Sequence, residues 1–132
     1  MNFFYTSDFE NSIRELMSKK KLGYFSCKED IKCVFNEMNF NEIWNFRDNL
    51  LDFHPYRLIK TRIPNSGQNL SKRDGFRLLF IANKYKENIT FLYIFPKKGK
   101  YEKVNLTEKE IEKLIQNYDS EIKNNTLKVL EF

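Results

Sequence analysis

The chain has 132 residues and a mass of 16.0 kDa, enough for one hydrophobic core and too little for two. A mean hydropathy of −0.64, 31% charged residues and apolar runs far shorter than a bilayer argue against a helical membrane protein. The formal charge of +5 is unevenly placed: residues 57–103 hold twelve Lys/Arg against three acids, and the remainder holds eleven against fifteen.

The amino terminus has no basic stretch leading into an apolar one, so a cytoplasmic, soluble protein is expected. Residues 2–6 (NFFYT) are aromatic and β-prone. Ser7 with Glu10 has the spacing of a capping box, and Phe9, Ile13, Leu16 and Met17 recur at helical intervals until Lys19, Lys20, Lys21 and Gly23 close the segment. Ser26 with Glu29 opens a second helical pattern, with apolar positions at 27, 31, 34, 35 and 38. Asn39 with Glu42 opens a third, expected to turn Phe40, Ile43, Trp44, Leu50 and Leu51 inward and to end near His54-Pro55. Cys27 and Cys33 sit six apart, roughly 9 Å along a helix axis, too far for a disulfide, and read as reduced core thiols.

From Tyr56 the period changes from helical to alternating. Residues 57–64 place Leu58, Lys60 and Arg62 on one face and Arg57, Ile59, Thr61 and Ile63 on the other. A polar loop of turn-forming residues follows Pro64, then two more strands at 75–85 and 89–96 joined by the short turn 86–88. Three sequential strands with short links are an antiparallel meander. Leu106, Thr107, Glu110 and Ile111 combine a capping box with a hydrophobic staple, and Leu114, Ile115, Tyr118 and Ile122 continue the apolar stripe of a last helix. Residues 119–132 form a tail beyond it, of which 126–132 alternate, as an extra edge strand or a partner-docking segment would.

The expected class is α+β in one domain, residues 1–132. A small antiparallel β-sheet, made of the three-strand meander plus the N-terminal strand, packs against N-terminal helices and a C-terminal helix, with the helices on one face. The basic excess then lies on the sheet. Such a surface attracts phosphate by neutralising it and releasing condensed counterions, so nucleic acid, RNA first, is the expected partner. Lys60, Arg62 and Arg77 converge on adjacent strands. The lone His54 reads as a junction residue, and Trp44 and the Phe set read as core.

The succession of Lys60 and Arg62 on the first strand, Gly75-Phe76-Arg77 at the start of the second, Phe95-Pro96-Lys97-Lys98 at the end of the third and the capped helix after it resembles the RelE/ParE toxin superfamily, in its RelE/HigB-like branch. The resemblance covers residues 57–118 in detail. It implies a RelE-like microbial RNase fold and a toxin of a type II toxin–antitoxin pair, a ribosome-dependent mRNA endoribonuclease with neither metal nor organic cofactor. Its implied partners are mRNA, the ribosomal A site and a cognate antitoxin, which would add a strand at the tail.

Lys60, Arg62, Arg77, Lys97 and Lys98 are the candidate catalytic residues, and Lys72, Arg73, Lys100 and Tyr101 are the candidate substrate contacts. Metal-free RNA cleavage deprotonates a 2′-hydroxyl, stabilises the phosphorane and protonates the leaving 5′-oxygen. Arg77 is expected to stabilise the transition-state charge and Lys60 to act as base. Arg62, Lys97 and Lys98 would bind phosphate or return the proton, and Tyr101 would stack on a base. Two other readings stand beside this one. A ParE-like relative would poison DNA gyrase by contact alone, and an inactive relative would bind RNA or the ribosome without cutting.

Overall fold

The computed structural model describes residues 1–131; Phe132, the last residue of the expected tail, and the side chain of Lys20 lie outside the described residues. Alternation builds a six-stranded sheet: β1 (Asn2–Tyr5), β2 (Asn49–Phe53), β3 (Tyr56–Ile63), β4 (Phe76–Asn83), β5 (Asn88–Pro96) and β6 (Lys128–Val129). Four helices accompany it: α1 (Ser7–Ser18), α2 (Cys27–Phe35), α3 (Phe40–Trp44) and α4 (Glu108–Lys123). The strand order is β2-β3-β4-β5-β1-β6. The meander β3-β4-β5 is antiparallel as expected, whereas β1 pairs parallel to β5, so one junction of the sheet is parallel.

All eight residues of β4 are buried because helices cover both faces of the sheet, not the single face expected from the sequence. On one side Phe76, Leu78, Phe80 and Ala82 meet α1, α2 and α3; on the other Leu79 and Ile81 join Leu58, Leu92 and Phe95 beneath Leu114 and Tyr118 of α4. Strict alternation along β4 supplies both cores, since successive side chains point to opposite faces. Phenylalanines dominate the first core: Phe91 lies 5.3 Å from Phe35 and 5.4 Å from Phe9, and Phe80 meets Phe35 edge-on at 5.6 Å, all within the range of favourable ring pairs. Removing Phe80, which is fully buried, would cost about 3–5 kcal/mol.

Capping decides where the helices begin. The boxes at Asn39/Glu42 and Thr107/Glu110 form with both reciprocal bonds. The Ser7/Glu10 box does not: Thr6 caps α1 by accepting from the Phe9 N–H, and Ser7 binds the Glu121 carboxylate instead. Nor does Ser26 cap α2. Its backbone is already helical (φ −86°, ψ 0°), so the side chain cannot fold back, and it donates to Asp30 while accepting from Gly67.

The third helical pattern is the largest departure. It stops at Trp44, and residues 49–53 form β2, so Leu50 and Leu51 are exposed on an edge hairpin instead of facing a core. Two adjacent leucines fit helix and strand equally, and pairing with β3 settles the choice. Cys27 is buried as expected, and Cys33 is exposed. Burial pushes the Cys27 thiol up to about 12, so it packs as an inert apolar group. The tail becomes an edge strand: β6 pairs antiparallel with β1, Val129 opposite Phe4. No helix among the described residues is long and apolar enough to cross a membrane.

Candidate nucleic-acid interface

β2 covers only the first half of β3. Its pairing reaches Asn49 opposite Ile59, the Lys60 N–H bonds the Asp48 carbonyl at 3.0 Å, and residues 61–63 then run with no strand on their outer edge. A hollow of about 480 Å³ opens there. Val34, Met38 and Phe46 form its apolar floor; Arg47, Lys60, Arg62 and Lys72 surround it together with one carboxylate, Asp48. Among the described residues no carboxylate lies within ion-pair distance of any of these four cations. Some basic residues elsewhere are neutralised locally, as at Arg57–Asp52 (3.2 Å) and Lys103–Glu110 (2.9 Å).

Lys60 and Arg62 project to the α4 face, on the same side of the sheet as Arg77. The Lys60 ammonium donates to the Asn105 side-chain oxygen at 3.2 Å, a neutral partner that leaves two of its three N–H donors for a ligand. Lys97 donates to the carbonyl of Val104, the residue before Asn105, at 3.4 Å, so one connecting segment gathers both lysines onto this face. Lys98 lies 3.9 Å from Asp74, a loose ion pair at the rim.

Arg77 stands directly opposite Arg62 in the β3–β4 register, but its setting is different. Only 7% of it is exposed. Nη1 donates to the carbonyls of Lys72 (3.0 Å) and Phe76 (3.1 Å), and Nη2 donates to that of Arg73 (2.7 Å). Burial, and then the neighbouring Arg62 cation, push its pKa down, although a guanidinium remains charged in water-exposed or buried protein alike. Two of its five N–H groups therefore hold the loop that carries Lys72 into the hollow, and a third bonds the Phe76 carbonyl at the start of β4. Gly75 permits the same fold, because a Cβ there would strike the Ile63 carbonyl.

The remaining expected contacts separate. The Arg73 side chain is exposed and lines no part of this hollow. Lys100 and Tyr101 lie across β4 and β5 from it, near the end of α1, where the Tyr101 ring packs 6.3 Å from that of Tyr24. They do not join Lys60 and Arg62, because the connection after β5 folds toward the α1 face before returning to α4. Three residues enter unannounced: Arg47 and Asp48, in a stretch the sequence pattern makes helical, and Asn105, a single polar residue whose only signal is its place before the last capping box.

Chemically, the hollow can hold a phosphodiester among four cations and offers one carboxylate beside them. Among the described residues no group of three His, Cys, Asp or Glu side chains could hold a metal ion. No protein-family model and no curated protein matches this chain.

Proposed function

We propose that this chain is an RNA-binding endoribonuclease, a cytoplasmic mRNA-cleaving toxin of the RelE/HigB type whose site is the β3 cleft. The observation that carries this reading is the convergence of Arg47, Lys60, Arg62 and Lys72, none ion-paired, on one hollow. Like charges held together without counterions cost stability, and an anion bound among them returns it. A nucleic-acid backbone is such an anion, and it would be drawn in by counterion release.

In the proposed reaction a base removes the 2′-hydroxyl proton and the 2′-oxygen attacks the adjacent phosphorus. The bond to the 5′-oxygen breaks, and that oxygen takes up a proton, leaving a 2′,3′-cyclic phosphate and a 5′-hydroxyl. Arg62 and Lys72 hold the phosphate oxygens. Asp48 is the cleft group that takes the 2′-hydroxyl proton. Lys60, expected from the sequence to be the base, instead gives a proton from its ammonium to the 5′-oxygen, and Asp48→Asn and Lys60→Gln test the two roles. Arg77, expected from the sequence to stabilise the transition state, is buried outside the lining of the hollow and acts here by positioning the loop that carries Lys72. A cognate antitoxin would silence the protein by covering this cleft or by pairing with the free edge of β6.

One observation favours a second reading, an RNA- or ribosome-binding protein that does not cut: the central arginine is already engaged by two loop carbonyls and by that of Phe76. Primer-extension mapping of a labelled message on programmed ribosomes decides between the two, with EDTA, free RNA and the Lys60→Gln and Arg62→Gln variants alongside. Discrete A-site cuts that survive EDTA and disappear in both variants are expected. Cuts that need a divalent ion, or that persist in both variants, would sink the proposal. An intact message bound in a salt-sensitive way would establish the second reading, and an intact unbound message would turn attention to gyrase.

A further inference from the structure

The turn after β5 carries three more lysines, and the fold sends them in two directions. The Lys97 N–H bonds the Gly75 carbonyl at 2.8 Å, next to the loop that bears Lys72, and Lys98 reaches toward Asp74. Lys100 and Tyr101 point the other way, to the end of α1. There they form, with Lys19, Lys21 and Leu22, an open hollow of about 480 Å³ that no carboxylate lines. The three lysines are exposed, and none of them has an ion-pair partner among the described residues.

A buried phenol helps hold the turn in this shape, beside the backbone bonds from the Glu102 N–H to Gly99 and from the Lys103 N–H to Pro96. The Tyr24 hydroxyl donates to the Lys98 carbonyl at 2.9 Å and accepts from the Tyr101 N–H at 3.2 Å, so it ties both ends of the turn. Gly99 lies between them at φ +94°, a conformation that suits glycine, and a Cβ at this position would collide with the same hydroxyl. The backbone that carries Lys100 and the partly exposed ring of Tyr101 is thus held in place. Cations beside an aromatic face are the two elements that single-stranded nucleic acid requires, one for the backbone and one for a base.

We propose that Lys19, Lys21, Lys100 and Tyr101 form a second RNA subsite, which holds a single-stranded segment continuous with the one in the β3 cleft. The inference rests on the RNA-binding function proposed above. β4 separates β3 from β5 by about 10 Å, and a strand joining the two hollows must also pass from the α4 side of the sheet to the α1 side. Lys97 and Lys98 lie on the turn that leads from the Lys72 side to Lys100, so they offer a backbone leaving the cleft two further cations, of which Lys98 would exchange its loose pair with Asp74 for phosphate. At the far end Tyr101 stacks on a base while Lys19, Lys21 and Lys100 neutralise the flanking phosphates.

The test compares binding of labelled, non-cleavable oligoribonucleotides of about four and about sixteen nucleotides, lengths that span known single-strand site sizes. The full chain is measured by fluorescence anisotropy across a salt series. It should bind the long strand at least tenfold more tightly than the short one. The triple variant Lys19→Gln, Lys21→Gln, Lys100→Gln should bring that ratio to within about threefold and lower the salt slope for the long strand by about 2, at roughly 0.7 per lost contact. Tyr101→Leu should reduce the ratio without changing the slope. A Lys60→Gln, Arg62→Gln variant should weaken both lengths alike. If the triple variant retains the parent's ratio and slope while the cleft variant loses affinity, the second subsite is wrong and the cleft stands. If the cleft variant binds both lengths as the parent does, or the parent binds neither, the RNA-binding function fails and takes this inference with it.

Discussion

Cations along the β1–β6 edge and cations along the β3 edge occupy opposite electrostatic situations. At the first, Glu10 bridges Arg14 and Lys128, both at 2.8 Å, and ties α1 to the tail. At the second, Arg47, Lys60, Arg62 and Lys72 share one hollow with a single acid and no ion pair. The cations Glu10 bridges at the first edge have a counterion in contact, and among the described residues the four at the second have none. The difference teaches that charge density along a sequence is a poor guide to function until the counterions are located. The Arg62/Arg77 pair repeats the lesson within two neighbouring strands, one side chain exposed and free of carboxylates, the other buried and bound to its own loop.

Substituting the two arginines should break that symmetry most sharply. Arg77→Ala strands two loop carbonyls and that of Phe76, and is expected to cost about 2–4 kcal/mol in denaturant unfolding. Arg62→Ala should stay within about 0.5 kcal/mol, or stabilise slightly by relieving repulsion. Equal losses in the two variants would show that Arg62 is also structural.

A smaller effect is expected in binding. Removing both cleft charges with Lys60→Gln and Arg62→Gln should weaken RNA affinity by about ten- to a hundredfold at low salt and reduce the salt slope by about 1.4. The melting temperature should hold or rise, because cations held together without counterions oppose folding. A parallel fall in both quantities would place these residues with the paired cations of the other edge.

The smallest effect lies at the paired edge and should appear in acid. The Lys128 hydrogen bond holds the Glu10 carboxyl below its ordinary 4.5, and the Thr107 backbone N–H, followed by Lys103, does the same for Glu110. A carboxylate with a lowered folded-state pKa contributes stability that is complete above its unfolded value and is lost as pH falls through the folded one. Glu10→Gln and Glu110→Gln should therefore lower stability marginally at neutral pH and flatten its decline below about 4.5. The lysine partners are raised above 10.5 by the same bonds, so their share persists until alkaline pH. A cleft variant should leave the acid slope unchanged. If it flattens the slope instead, the cleft cations have carboxylate partners in solution.

Much of this protein is legible before folding. Alternation with period two identifies the meander and places Lys60 and Arg62 on one face, because a strand's side chains have no other option. Asn39/Glu42 and Thr107/Glu110 set two helix starts through bonds that are wholly local. Long-range pairing decided the rest. It drew residues 49–53 into β2, turned Ser26 from a cap into a tether for the 65–67 loop, and laid β1 parallel to β5. It also put helices on both faces, which buried Arg77 and left Tyr101 two strands from the residues it was expected to join. A sequence fixes what each residue can offer its near neighbours. Which cations lose their counterions and which meet across the sheet depends on contacts between distant segments, and those are selected only when the whole core packs.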